Sequence, residues 1–436
     1  MLKLDYATIN NIIDRNREKY IKRLQKLVKT YPNGEEKLQD YVATRMKKLG
    51  FDTEFLRLSP SKIQLSKEFA SEEAIDTSRR IHVVGRKTGD QQGRSLMIIA
   101  HPDGESINSE GWTVPLHEGI IINDRIYGWA IADDLSGIGI FLEALDALNE
   151  GNFQLRGDLY LVSASAKNNA YGIAAILGHG YSADAAIYLH PAESEMGLKE
   201  IKTMTSGLLK FRIKVKGMKP PKNEFVQTTF SHLGVNPIDK AIYIIDALKR
   251  LNEHRIQTVR YEPLNTQLGR GTNLLVSYIN AGERDNLTDT PQDCLIGVGL
   301  TFPPHEDICD LMMEIEDYLR QISRADPWLK NNPPELFWVQ GTQGTEVPLN
   351  HPIVDITIDS IEKVTGNKPK SNPLYSKSDL RTPMLVAGIP MIGIGPLAGG
   401  LSTTGGVNEW VDIEEYILSV KICARIIMEW CAVNNR

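Results

Sequence analysis

The sequence predicts an α/β fold whose mostly parallel central sheet is interrupted by a smaller α+β insert. Short apolar runs, "SLMIIAH", "GDLYLVSA" and "AAIYLH", alternate with apolar helical stretches such as "GIGIFLEALDALNEG". Strands that alternate with helices build parallel sheets covered on both faces. From about Ser206 the style changes to alternating strands and long amphipathic helices, and after "DPWLKNNPP" the α/β style returns. A chain of 436 residues is also too long for one ordinary core. The larger domain is therefore read as discontinuous, residues 1–205 and 326–436, with residues 206–325 as a lid or dimerisation domain.

Taken in order, Ile9, Ile12, Ile13, Tyr20, Leu24, Leu27 and Val28 recur at helical spacing and predict one long amphipathic helix. "PNGEEKLQDYVATRMKKLG" predicts a second, with Asn33 as its cap and Gly50 as its stop. Residues 58–92 are polar and irregular and read as a surface excursion. The three apolar strands follow, and in parallel sheets the working residues gather at the strands' carboxyl ends. His101 and His190 both stand there. In the insert, "GLLKFRIKVKG", "NPIDKAIYIIDALKRLNEHR", "TNLLVSYINAG", "CLIGVGLTFPP" and "HEDICDLMMEIEDYLRQIS" give the order β-α-β-β-α, a ferredoxin-like α+β sandwich. "PMLVAGIPMIGIGP" and a closing amphipathic helix complete the chain.

Composition narrows the function classes. A net charge of −6 without a basic tract argues against nucleic acid or an anionic membrane as partner. The opening residues are too charged for a signal peptide, and no apolar run approaches a membrane span, so a cytoplasmic location is expected. Cys294, Cys309, Cys423 and Cys431 form no C-x-x-C pair and read as thiols rather than a disulfide or metal framework.

Three strand-end or turn motifs carry chemistry. "AHPDG" places Asp103 two residues after His101, the spacing at which a carboxylate orients a metal-binding imidazole. "GWAIADDLSGIG" places Asp133 and Asp134 in a Gly-bounded turn before a helix, where adjacent acids can equally complement a helix dipole. "AIYLHPAES" adds His190, which alone would be an ordinary histidine before a proline.

Together, H-x-D, then Asp, then a third ligand resemble the acetylornithine deacetylase, succinyl-diaminopimelate desuccinylase and aminoacylase family of zinc hydrolases. Further segments carry the resemblance along nearly the whole chain: "LVKTYPNGEEKLQDYVATRMKKLGFD", "GLLKFRIKVKG", "GVNPIDKAIYIIDAL", "DPWLKNNPP", "SKSDLRTPMLVAGIPMIGIGP" and "NEWVDIEEY". The resemblance implies a zinc-peptidase-like domain with a lid that often mediates a homodimer. It also implies Asp133 as the metal-bridging aspartate, His101 and His190 as ligands of one metal, and Asp103 as the acid behind His101. Arg381 matches the arginine that grips a substrate carboxylate, which suits a guanidinium fork.

The sequence departs from that pattern at four working positions. The two adjacent glutamates, general base and second-metal ligand, fall on Ala166 and Lys167 when "AYG" is anchored at Gly172. No carboxylate lies between Asp158 and Asp184. The ligand histidine near the C-terminus falls at about Gly405, and the lid histidine near Pro221. The expectation is at most one Zn²⁺ per chain, on His101, Asp133 and His190, with the Lys167 ammonium offsetting charge where a second metal would sit or pointing to solvent. Asp134, Glu193 and Glu195 are the candidates for a replacement base. Three readings stand: a divergent amide hydrolase acting on N-acyl amino acids or small peptides, an inactive relative that binds a carboxylate ligand or a partner protein, and different chemistry in the same pocket with Lys167 as base or nucleophile.

Overall fold

The computed structural model describes residues 5–58, 68–70, 80–90, 92–103, 110–165, 171–190, 195–221, 226–374, 378–400 and 407–432. Its central sheet has six strands in the spatial order Asp52–Leu58, Arg80–Lys87, Leu159–Ser163, Leu96–Ala100, Ala185–Leu189, Met391–Ile394. The last four run parallel, and the first two are antiparallel additions at one edge. In Leu96–Ala100 the side chains alternate between two buried faces. Leu96, Ile98 and Ala100 enter the larger core with helices Ser136–Glu150 and Ile413–Ala432, while Met97 and Ile99 enter a smaller one with helix Tyr171–Gly178. Burial on both sides explains why these strands are continuous apolar runs.

Several local expectations are corrected. The first helix is two, Tyr6–Arg15 and Arg17–Thr30, divided at Asn16, whose amide donates to the Ile12 carbonyl and to Glu150. The next helix, Glu35–Lys48, starts after Gly34 at φ +99°, so Gly34 rather than Asn33 stands at its cap. The polar stretch 58–92 is no mere excursion. It contributes strand Arg80–Lys87 to the central sheet and the two-residue strand Phe69–Ala70 to the second sheet.

That second sheet has five antiparallel strands in the order Asn273–Ala281, Asp293–Phe302, Gly207–Lys216, Glu335–Thr342, Phe69–Ala70. Helices Pro237–Thr258 and Ile308–Ala325 pack on one face over a separate apolar core that includes Phe211, Ile244, Leu300 and Ile315. The β-α-β-β-α order is as the sequence predicts. The sheet nevertheless reaches past residue 325, because Leu336 and Trp338 of strand Glu335–Thr342 pack against this core and not against the larger one.

One close approach brings helix Ser136–Glu150 to the strand ends. A Cβ built on Gly137 would lie 2.1 Å from the Leu189 carbonyl oxygen, so only glycine lets this helix start against the strand that delivers His190. No helix among the described residues is long and apolar enough to cross a membrane.

Candidate active site

The parallel strands end on one edge of the sheet. Leu96–Ala100 delivers His101, Leu159–Ser163 delivers Ala164 and Ser165, and Ala185–Leu189 delivers His190. The turn before helix Ser136–Glu150 carries Asp133 and Asp134 to the same edge, through a cis peptide between them. Both have non-helical backbone angles, and Leu135 stands at the helix N-cap, so the pair does not continue the helix backward.

Here three ligand-type side chains converge. His190 Nδ1 lies 3.3 Å from Asp133 Oδ1 and 3.5 Å from Asp134 Oδ1. One ligand atom from each of the three residues lies within 4.8 Å of the other two, and all three residues are buried. Two carboxylate oxygens and one imidazole nitrogen in that space suit a divalent cation such as Zn²⁺. Tyr188 stacks on the His190 ring at 5.1 Å between centroids and meets His101 edge-on at 5.4 Å, which fixes both imidazoles.

His101 is placed differently from the other three. Its Nδ1 bonds the Ala164 carbonyl, an acceptor only, so this nitrogen carries the proton. Its Nε2 lies 3.1 Å from Asp379 Oδ2. Its backbone N–H donates to Asp134 Oδ2 at 3.2 Å, tying the first strand end to the acidic turn. Asp103 accepts from Arg80 Nη2 at 2.7 Å, and Arg80 Nε lies 3.1 Å from Glu35. The atom against the His101 ring nitrogen is thus a backbone oxygen, and the Asp103 carboxylate is engaged by a guanidinium.

Arg381 is almost fully buried, at 2% exposure. Its Nε and Nη2 donate to Glu68 Oε1 at 2.6 Å and Glu68 Oε2 at 3.0 Å, and Nη1 donates to the Ser378 carbonyl at 2.7 Å. Asp379 Oδ1 is 3.8 Å from Nη1. A continuous line of polar side chains therefore runs from Glu68 through Arg381 and Asp379 to His101.

Burial dominates the site's electrostatics. It pushes the Asp134 carboxyl well above the usual carboxylate range; the His101 N–H opposes the rise, and Asp103 and Asp379 add to it. Burial, then the nearby His101 and Arg80, push His82 down to about 4. In the unfolded chain His82 titrates near its ordinary ~6.5. Between those two values the unfolded state binds the extra proton, so this group's contribution makes stability fall as pH drops through that window. The expected loss is up to ~3 kcal/mol by pH 4. Urea unfolding of wild type and His82→Leu at pH 7 and pH 4.5 checks this, because the leucine variant should lose less stability on acidification.

The structure brings Asp133, Asp134 and His190 together and sets the His101 imidazole against Asp379. Ala166, Lys167, Glu193 and Gly405 lie outside the described residues. Glu195 is exposed at φ +58°, and Pro221 is exposed just beyond strand Gly207–Lys216. Sequence reasoning missed Glu68, Arg80 and His82 altogether and gave Asp379 no role in the site. Asp379 had a signal, standing two residues before Arg381 in "SKSDLR"; Glu68 had none.

This fold, with metal-type ligands on the carboxyl edge of a parallel sheet and a second, antiparallel sheet, is that of a metallopeptidase-type hydrolase. The chain belongs to Peptidase family M20/M25/M40, whose profile matches residues 98–429. It is 24% identical to an N-formyl-4-amino-5-aminomethyl-2-methylpyrimidine deformylase of Halalkalibacterium halodurans, over 97% of each chain. Among solved structures it resembles a tripeptidase from Staphylococcus aureus with a TM-score of 0.71 and 16% identity, over 96% of this chain and 99% of that one. It also resembles a dinuclear metal binding peptidase of the M20 family from Bacillus subtilis, with a TM-score of 0.62 and 12% identity, over 96% and 99%.

Proposed function

We propose that the chain is a metal-dependent amide hydrolase that removes a small acyl group from an amine. The observation that carries the reading is the convergence of Asp133, Asp134 and His190 at the strand ends of an M20 fold. In this reading they hold one divalent ion, zinc by the chemistry of the donors, which would supply Lewis-acid polarisation and a water of lowered pKa. The protein's own groups do the rest. Asp134 anchors the acidic turn through the His101 N–H, and Tyr188 holds both imidazoles in place. His101 and Asp379 form the pair that takes up and returns a proton at Nε2, the role for which the strand-end segment of the sequence supplies no glutamate. The amide named for the Halalkalibacterium relative, a formyl group on an aminomethylpyrimidine, gives the first substrate to try.

The test uses untagged protein purified without added zinc. Elemental mass spectrometry should find about one divalent metal per chain, the stoichiometry of a single site. The same preparation should release formate or acyl acid from N-formyl-aminomethylpyrimidine or from N-acetyl and N-succinyl amines. No metal after zinc is offered, together with no turnover of any amide, would overturn the reading. A second reading, an inactive member that binds a ligand in the same pocket, is favoured by the absence of any carboxylate between Asp158 and Asp184. Tight ligand binding without turnover would select it.

A further inference from the structure

We propose that Glu68 is a specificity-determining residue that fills the guanidinium fork of Arg381 and so closes the site to substrates bearing a carboxylate. The inference rests on the amide-hydrolase reading for its reaction and on geometry for its binding claim. Arg381 is the buried cation that adjoins the His101–Asp379 pair, with Asp379 3.8 Å from it on one side and 3.1 Å from His101 on the other. A bidentate arginine in that position suits a substrate carboxylate. The Glu68 carboxylate already makes both bonds, from Nε and Nη2, and the Ser378 carbonyl takes Nη1.

Glu68 is also held independently of Arg381. The residues after it, Phe69 and Ala70, pair with Gly341 and Gln340 of the second sheet. Its Oε1 accepts from the Gln343 backbone N–H at 2.9 Å. Phe69 sits over Gly341, where a Cβ would come within 2.4 Å of its ring, so the strand has a dedicated seat. A carboxylate fixed within the same chain competes at a high effective concentration, which a free substrate at ordinary levels cannot match. The small pocket beside the pair is lined by Glu68, Phe69, Tyr171, Gln340, Thr342 and Arg381. With the arginine already neutralised, it offers an incoming anion no unspent positive charge from that side chain. The carboxylate-bearing substrate expected from the sequence is replaced, on this view, by an acylated amine without that group.

The experiment is calorimetric binding of two ligands that differ by one carboxylate, N-formylphenethylamine and N-formylphenylalanine, to wild type and to Glu68→Gln. Glu68→Gln should bind the acid at least about tenfold more tightly than wild type, while its affinity for the neutral amide stays within about threefold. The double variant E68Q/R381Q, which leaves no guanidinium to free, should lose that gain. Thermal unfolding reports whether each variant folds; if Glu68→Gln does not, Glu68→Asp, with its shortened reach, should show a smaller gain in the same direction. An acid affinity that is unchanged in the folded variant, or that rises equally in E68Q/R381Q, would overturn the proposal. Because binding is read without turnover, a protein that discriminates as expected but hydrolyses nothing would sink the hydrolase reading and leave this one standing.

Discussion

His190→Ala is expected to strip the chain of its divalent metal and to lower kcat/KM for its amide substrate by more than about 10²-fold. The magnitude follows from comparison: losing an outer-shell partner of a metal ligand already costs ~10–100-fold, and losing the ligand costs more. The informative contrast is His101→Ala. The ligand set read from the sequence includes His101, but in the structure its Nδ1 faces the Ala164 carbonyl and its Nε2 faces Asp379, while Asp133, Asp134 and His190 close on one another without it. His101→Ala should therefore retain most of its metal by elemental mass spectrometry and still lose activity, because the proton-carrying pair is gone. Equal metal loss in both variants would return His101 to the ligand set. Asp379→Asn separates the roles further: it keeps the shape of the pair, removes the charge beside Nε2, and should shift the pH profile of kcat/KM without changing metal content.

What can be read from the sequence follows from which interactions leave a local trace. Burial on both faces of a parallel strand writes a continuous apolar run, so Leu96–Ala100, Leu159–Ser163 and Ala185–Leu189 are legible, and with them the strand-end positions of His101 and His190. Strand Arg80–Lys87 has charged ends and lies within a polar stretch, so its four buried central residues give too short a signal. The second sheet runs past residue 325 without a local trace, because strand Glu335–Thr342 pairs with Gly207–Lys216, far back in the chain. The Glu68–Arg381 pair spans 313 positions and has no periodicity to betray it. The acidic turn is ambiguous for a different reason. Two adjacent aspartates before a helix fit a dipole-capping role as well as a ligand role, and only the fold shows both carboxylates turned toward His190.

Glu143→Leu is expected to cost about 3–5 kcal/mol of stability, because it leaves a buried guanidinium unpaired. Glu143 is 1% exposed on helix Ser136–Glu150, the helix that begins beside Asp133 and Asp134. Its carboxylate lies 3.2 Å from Arg45 Nη1 on helix Glu35–Lys48 and 2.6 Å from Arg23 Nη1 on helix Arg17–Thr30. One buried acid thus clamps two N-terminal helices to the helix under the site. Arg23 retains Asp146 at 3.2 Å when Glu143 is removed, and it is partly exposed, whereas Arg45 is buried. Burial raises the Glu143 pKa against both arginines, while attraction to Glu143 raises the Arg45 pKa against burial, so desolvation and attraction nearly offset each other. A buried pair in that balance contributes little net stability although breaking it is expensive. The double variant Glu143→Leu/Arg45→Met should therefore recover most of what Glu143→Leu loses, with both measured by urea unfolding at pH 7. If the double variant were as unstable as the single one, the loss would come from repacking beneath the helix and not from a stranded charge. Activity separates the clamp from the chemistry: where the double variant is folded, its metal content should match wild type, since no ligand has moved out of reach.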